Sequence, residues 1–285
     1  MDDLACDRLS LSARESPPQS DTWRMLLGDD DHSHRLQIAT EAAKDAGRLI
    51  LSYYRRPDVL EAVAKGPRDL VTAADHAADA FLRKRLAATF PDDAFLTEES
   101  GGEIGDRLWV IDPIDGTGNF ARGLPHFCIS VASCVDERPD LGVIYDPVHD
   151  ELYTARKDRG ATCNGRTIAG SRISAPEQSL IDVGYSHRHP SRDYAMLIDR
   201  LMVAGCGFCQ SGSAALGLAH LADGRRDGYC ELHLYSWDVL AGIFLVQEAG
   251  GWTSEFPAGD GLIHGNPLLA CTPVLTDDLR CLTGI

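Results

Sequence analysis

From Leu36 onward the apolar residues recur at helical spacing. Leu36, Ala39, Ala43, Ala46, Leu49, Ile50 and Tyr53 fall on one face, and Pro57 ends the run, so the pattern predicts an amphipathic helix. A second helix is predicted from Thr72, where Thr72 and Asp75 have the T-x-x-D form of a capping box; Phe81, Leu82 and Leu86 supply its buried stripe, and Pro91 closes it. Short β-rich runs follow at Leu108–Ile111, Phe127–Val135, Leu141–Tyr145 and Glu151–Ala155, separated by Pro, Gly and Asp turn signals, and predict a mostly antiparallel sheet. After about residue 175 strands and helices alternate: Leu180–Gly184, a helix near Tyr194–Val203, Gly207–Gln210, a helix from about Ser213, Asp227–Glu231, and an almost wholly apolar helix that opens near Trp237 and closes at Gly250-Gly251. That alternation predicts α/β layering. Residues 1–34, with Ser16-Pro17-Pro18, Asp29-Asp30-Asp31 and few aliphatics, show no sustained period and are expected to form a flexible extension.

Composition narrows the class. The chain has 285 residues, 44% hydrophobic and 25% charged, which excludes a disordered or collagen-like chain. Its longest uncharged apolar stretches fall short of the roughly 18 to 20 residues that span a bilayer. No basic segment leads into an apolar one at the N-terminus, so the expected compartment is the cytoplasm, with no membrane partner. The nine cysteines then read as reduced thiols. Only Cys206 and Cys209 form C-x-x-C, and with no second pair or H-x3-5-H they read as buried thiols rather than a zinc or redox site. Asp plus Glu exceed Lys plus Arg by 43 to 27, and the net charge of −16 repels a nucleic-acid backbone. No nucleic-acid partner is expected, and a small phosphate substrate would need bound cations to invert the local field.

Three acidic groups stand in apolar surroundings: Glu98-Glu99 after Phe95-Leu96, Asp112 and Asp115 after Trp109-Val110-Ile111, and Asp238 ahead of the apolar helix. Singly, each has an ordinary explanation as a solvated loop, a turn or a helix cap. Jointly, several converging carboxylates call for cations, and all-oxygen ligands suit Mg²⁺, with Mn²⁺ as a substitute. In Asp112-Pro113-Ile114-Asp115-Gly116-Thr117 the two acids lie three apart across a Pro-stiffened turn, and the following Gly-Thr can offer backbone N–H groups to a phosphate.

The segments Asp69–Asp75, Glu98-Glu99-Ser100, Trp109–Phe120 and Trp237–Gly242 resemble, in that order, the inositol monophosphatase family, over roughly residues 36 to 275. The resemblance implies an α/β (mixed α+β) fold, a layered αβαβα sandwich of the inositol monophosphatase and fructose-1,6-bisphosphatase type. It further implies a lithium-sensitive, Mg²⁺-dependent phosphomonoesterase, usually a homodimer. On this reading residues 35–285 form a single phosphatase domain. Its 35–175 half carries the metal-binding motifs, and its 176–285 half completes the site. By resemblance, Glu98, Asp112 and the Ile114 carbonyl hold one Mg²⁺, Asp112, Asp115 and Asp238 hold a second, and Glu98 serves a weaker third. Thr117, oriented by Asp75, and Glu98 position or deprotonate the attacking water. Gly116 and Thr117 bind the phosphate, Glu99 lies behind the metal site, and Lys65 matches a lysine on the loop before Asp69; an exposed loop lysine is the alternative.

The shared motif gives the reaction and leaves the alcohol open, since the family also contains phosphatases for histidinol phosphate, fructose 1,6-bisphosphate and 3′-phosphoadenosine nucleotides. Gly118-Asn119-Phe120 is similar to the inositol-phosphatase T-N-F type, with Gly118 departing from the usual residue. Gly212, Ser213, Ala214 and Glu231 match positions that contact the inositol ring, alongside Asp115 and Asp238. A carboxylate such as Glu231 accepts hydrogen bonds from polyol hydroxyls and also attracts an ammonium group. The expected substrate is inositol 1-phosphate, a small phosphorylated polyol, with the other esters or a binding role on the same fold as alternatives.

Overall fold

The computed structural model describes residues 22–56, 63–66 and 69–285, with side chains from Asp31 to Arg56 and from Thr72 onward. The chain runs through helix α1 (Thr22–Leu51), a hairpin of β1 (Val63–Gly66) and β2 (Asp69–Val71), α2 (Ala73–Ala87), β3 (Ala94–Thr97), β4 (Gly101–Gly102), β5 (Arg107–Asp115), the short α3 (Thr117–Ala121), β6 (Cys128–Val135), β7 (Arg138–Asp146), β8 (Glu151–Arg156), β9 (Ala161–Cys163) and β10 (Arg166–Thr167). The second half holds β11 (Leu180–Val183), α4 (Ser191–Val203), β12 (Gly207–Cys209), α5 (Ala214–Ala222), β13 (Gly228–Leu234), α6 (Ser236–Glu248), β14 (Trp252–Thr253), α7 (Gly261–His264), β15 (Asn266–Cys271) and α8 (Thr276–Thr283).

Eight strands form one sheet in the order β10-β9-β8-β7-β6-β5-β3-β4, antiparallel except where β3 runs parallel to β5. Five form a second in the order β12-β11-β13-β15-β14, with β11 parallel to both β12 and β13. Both sheets are buried on both faces, and strand alternation sorts the side chains into layers. On β5, Trp109 and Ile111 join Ala39, Ala43, Ala46 and Leu82 of α1 and α2, while Leu108 and Val110 join Leu216, Leu218, Leu240 and Phe244 of α5 and α6. On β15, Leu268 and Ala270 face that same central helical layer, whereas Leu269 and Cys271 pack with Leu197, Leu201 and Leu279 of α4 and α8. The order is therefore α1/α2, eight-stranded sheet, α5/α6, five-stranded sheet, α4/α8: the αβαβα sandwich expected from the sequence. No helix among the described residues is long and apolar enough to cross a membrane.

The boundary of the N-terminal extension needs correction. Helix α1 reaches back to Thr22, so residues 22–34 are helical, while residues 1–21 lie outside the described residues. Local pattern missed this because the anchors are polar and remote. His32 Nε2 lies 2.8 Å from Asp140, Asp31 pairs with Arg35 and Arg107, and the buried Arg35 guanidinium pairs with Asp93 and stands 4.3 Å over the Phe90 ring. A guanidinium held by carboxylates and an aromatic face is stable where a bare charge would not be.

Candidate active site

The acids are brought together by strand ends and helix starts. Glu98 follows β3 directly, and its N–H donates to the Ile111 carbonyl at 3.2 Å, which places it beside Asp112 on the neighbouring strand. Asp112 and Asp115 are three residues apart, an odd spacing that would send them to opposite faces of a regular strand. The pairing of β5 with β6 slips between them: Asp112 faces Ser130 and Asp115 faces Cys128, so three steps on β5 match two on β6. This bulge at Pro113-Ile114 turns Ile114 into the α1/α2 core and brings Asp115 round to the α5 side.

There Asp115 meets the start of α5. It accepts a hydrogen bond from the Ser213 hydroxyl, and N–H groups of Ala215 at 2.8 Å and Ala214 at 3.2 Å. Asp112 accepts the Ile114 N–H at 2.9 Å, and Asp238, in the first turn of α6, accepts the Tyr235 N–H at 2.8 Å. Burial, then the charges of Glu98, Asp115, Asp238 and Asp75, push the Asp112 carboxyl well above its usual range. Burial, then Glu98 and Asp115, do the same to Asp238. In Asp115 burial also raises the carboxyl, against the opposing pull of its three hydrogen bonds.

Asp75 closes the expected capping box: the Thr72 N–H donates to its Oδ2 at 2.8 Å, and Thr72 accepts from the Ala74 N–H. Its other oxygen, Oδ1, lies 3.0 Å from the Thr117 hydroxyl, which is also 2.9 Å from the Ile114 carbonyl. The cap and the Thr117 contact thus coexist on one carboxylate. Gly116 before it adopts φ 94°, a left-handed conformation, and a Cβ there would lie 3.0 Å from the His126 carbonyl and 3.2 Å from that of Gly212. The phosphate-side turn and the Gly212-Ser213 turn are therefore in close contact. Glu99 has its side chain buried, 3.7 Å from His76. The backbone of Lys65 lies in β1, but its side chain lies outside the described residues.

A cavity of about 590 Å³ is lined by Glu98, Glu231, Trp237 and Asp238, and a smaller one of about 210 Å³ by Asp115, Gly212, Ser213 and Ala214. They share Tyr185, Glu231, Leu234 and Asp238, and so form one cleft over the acids. At its floor Glu231 is buried and accepts the Tyr229 hydroxyl at 2.7 Å; burial pushes its carboxyl up to about 8. Gly184 makes room for it, since a Cβ there would stand 1.8 Å from Glu231 Oε2. Another cavity of about 510 Å³, lined by Glu137, Arg138, Lys157 and Glu248 among others, holds none of the motif residues.

Sequence reasoning took Asn119 as a marker of substrate type and missed what it does. Its amide Nδ2 donates to the His126 carbonyl at 2.7 Å and the Ser211 carbonyl at 2.9 Å, tying the turn after Asp115 to the turn before α5. Asp182 was missed altogether. It is buried on β11 and accepts the Ser211 N–H at 3.1 Å and hydroxyl at 2.5 Å, holding the same turn from below. The Asp carries no local motif that would have flagged it. Cys206 is buried and Cys209 half-buried, and burial and Asp182 push the Cys209 thiol up, the opposite of a reactive thiolate.

Among the described residues no three His, Cys, Asp or Glu side chains close around one metal position. Asp115 is turned to α5, Asp112 to the Ile114 N–H and Asp238 to its helix cap. The donor set nonetheless fits hard divalent cations: four carboxyl groups on adjacent elements, enclosed together, with repulsion that a cation relieves.

Residues 31–279 match the model of the inositol monophosphatase family. A relative from Escherichia coli named Nus factor SuhB is 40% identical over 243 residues, covering 81% of this chain and 91% of the relative. The crystal structure of extragenic suppressor protein suhB from Bartonella henselae is similar at 33% identity and a TM-score of 0.83, covering 88% of this chain and 98% of that one. An inositol monophosphatase from Anabaena matches at 36% identity and a TM-score of 0.76, over 88% and 95% of the two chains.

Proposed function

The chain belongs to the inositol monophosphatase family, and from that premise we propose that it is a Mg²⁺-dependent phosphomonoesterase that hydrolyses inositol 1-phosphate to myo-inositol and phosphate. One observation carries the proposal: the Thr117 hydroxyl is held between Asp75 and the Ile114 carbonyl at the edge of a carboxylate cluster that needs cations. Glu98, Asp112 and the Ile114 carbonyl would hold one Mg²⁺, Asp112, Asp115 and Asp238 a second, and Glu98 a weaker third. Bound there, the ions supply Lewis-acid activation of water and charge neutralisation on the phosphoryl and leaving oxygens.

The chain's own groups do the rest. By donating a hydrogen bond to Asp75, the Thr117 hydroxyl turns its lone pairs outward to accept a hydrogen bond from the attacking water, one of whose protons Glu98 takes. Water oxygen bonds to phosphorus, the bond from phosphorus to the inositol oxygen breaks with its electron pair on that oxygen, and the oxygen takes a proton from solvent water, while Glu98 returns its own to solvent. Gly116 and Thr117 N–H groups bind the phosphate oxygens. The Gly212-Ser213-Ala214 turn flanks the ring, and Glu231, steadied by Tyr229, meets its hydroxyls. Glu99 supports the cluster from behind, and Lys65 sits on the hairpin before Asp69.

The test is phosphate release at about 5 mM Mg²⁺, a concentration chosen for an ion that binds through few protein ligands. Inositol 1-phosphate, histidinol phosphate, fructose 1,6-bisphosphate and 3′-phosphoadenosine 5′-phosphate are compared by kcat/KM. Preference for the first supports the reading; preference for another keeps the mechanism and overturns the assignment of the alcohol. Asp112→Asn, with its circular dichroism unchanged, is expected to lose hydrolysis, and persistence of turnover refutes the metal assignment. The relatives' name, Nus factor, supports a second reading in which the same fold also binds a partner. Recovery of one partner by both the full-length chain and Asp112→Asn in a pull-down would support it, and recovery of none would refute it.

A further inference from the structure

The loop after β11 brings a guanidinium into the cleft that the reaction described above does not use. Arg188 lines the same cavity as Glu98, Glu231 and Asp238. Its guanidinium carbon lies 4.5 Å from the centroid of the Tyr235 ring, and Tyr235 in turn stacks on Trp237 with centroids 4.6 Å apart and planes at 26°. Trp237 immediately precedes Asp238, so this stack is built on the first turn of α6, next to the acid cluster. Among the described residues Arg188 has no ion-pair partner, whereas Arg35, Arg107, Arg166 and Arg225 each pair with a carboxylate.

The physical consequence is a cation held in place by an aromatic face with no direct ion pair among the described residues. Stacking on an aromatic face restrains the long side chain, and the N–H edge of a guanidinium matches the two-oxygen face of a phosphate or carboxylate. A net charge of −16 makes such a cation in the cleft a local exception. Arg188 is the guanidinium of this cavity, and its charge reaches Glu231, whose carboxyl it lowers against the effect of burial.

We propose that Arg188, seated on Tyr235 and Trp237, forms a subsite for a second anionic group on the alcohol, so that the cleft takes polyol bisphosphates as well as monophosphates. This rests on the phosphomonoesterase reading of the acid cluster, and the reaction is unchanged: one ester bond to water, with the second phosphate kept on the product.

Wild type, Arg188→Ala and Arg188→Lys are compared on inositol 1-phosphate and inositol 1,4-bisphosphate, two substrates that differ by one phosphate. Removing the guanidinium is expected to lower the ratio of kcat/KM for bisphosphate over monophosphate by about 10- to 100-fold, the range that charge-assisted hydrogen bonds carry. Arg188→Lys keeps the charge and loses the fork, so its ratio falls in between. An unaltered ratio in Arg188→Ala overturns the proposal, as does wild type that turns over the monophosphate alone. Calorimetric titration of the bisphosphate into each variant reads the contact without turnover. Tenfold weaker binding to Arg188→Ala by a chain that hydrolyses neither ester would uphold the subsite and refute the phosphatase reading; equal binding would refute the subsite.

Discussion

Replacing Asn119 tests whether the two halves of the cleft are tied together as the geometry indicates. One amide group donates to two carbonyls, those of His126 and Ser211, at 2.7 and 2.9 Å. Each neutral hydrogen bond contributes about 1 kcal/mol net, so Asn119→Ala should cost about 2 kcal/mol. Unfolding entropy of about 2.1 cal/mol/K per residue amounts to about 0.6 kcal/mol/K for a chain this long, and the expected drop in Tm is about 3 °C. Asn119→Asp should be worse than Ala at neutral pH, because a carboxylate then confronts two carbonyl oxygens and offers no donor. The loosened turn carries Gly116 and Thr117 on one side and Ser213 on the other, so kcat/KM for the phosphate ester should fall in the same order. Differential scanning calorimetry and steady-state kinetics on the three proteins decide it. If Asn119→Asp is as stable and active as Asn119→Ala, the amide is not the tie described here.

Other outcomes follow from the acids and their surroundings. Asp112, Asp238 and Glu231 have folded pKa values raised above their ordinary ones, so the folded chain binds more protons and stability is lost as pH rises from about 4 through those values, to about 8 for Glu231. In EDTA the Tm should therefore be lower at pH 8 than at pH 5, and Mg²⁺ should narrow the gap; a Tm independent of both would refute the cation argument. Gly184→Ala places a methyl against Glu231 and Tyr229, and should reduce kcat/KM for inositol 1-phosphate about tenfold while the Mg²⁺ dependence of phosphate release stays put. An equal loss in apparent Mg²⁺ affinity would show that Glu231 belongs to the metal site instead.

What could be read from sequence was local. The Thr72–Asp75 box is a four-residue contact, and it closes as its spacing indicates. The apolar spacing of α1 and α2 and the β-rich runs likewise describe faces that each element buries on its own terms. What could not be read depends on partners remote along the chain. Asn119 is 92 residues from Ser211. Asp31 and Arg35 look like a solvated acidic tail until Asp93, Phe90 and Arg107 are placed beside them. Arg188 shows no motif, because its setting is made by Tyr235 and Trp237 from another layer. The identity of the acids was visible from their string of neighbours, while their shared direction came only with the register of β6.

That register also makes the string a ruler. Because one supernumerary residue in β5 is absorbed between Asp112 and Asp115, their odd interval puts both acids on one face only while the pairing with β6 slips by one at that point. Flattening the bulge with all three steps kept would restore an unbroken pleat and swing Asp115, Gly116 and Thr117 toward the helices on the opposite side of the sheet. The site is thus held by pairing as much as by composition: a one-residue frameshift in space, with β5 realigned on β6 after Asp112, would undo it while leaving every one of its side chains in the sequence.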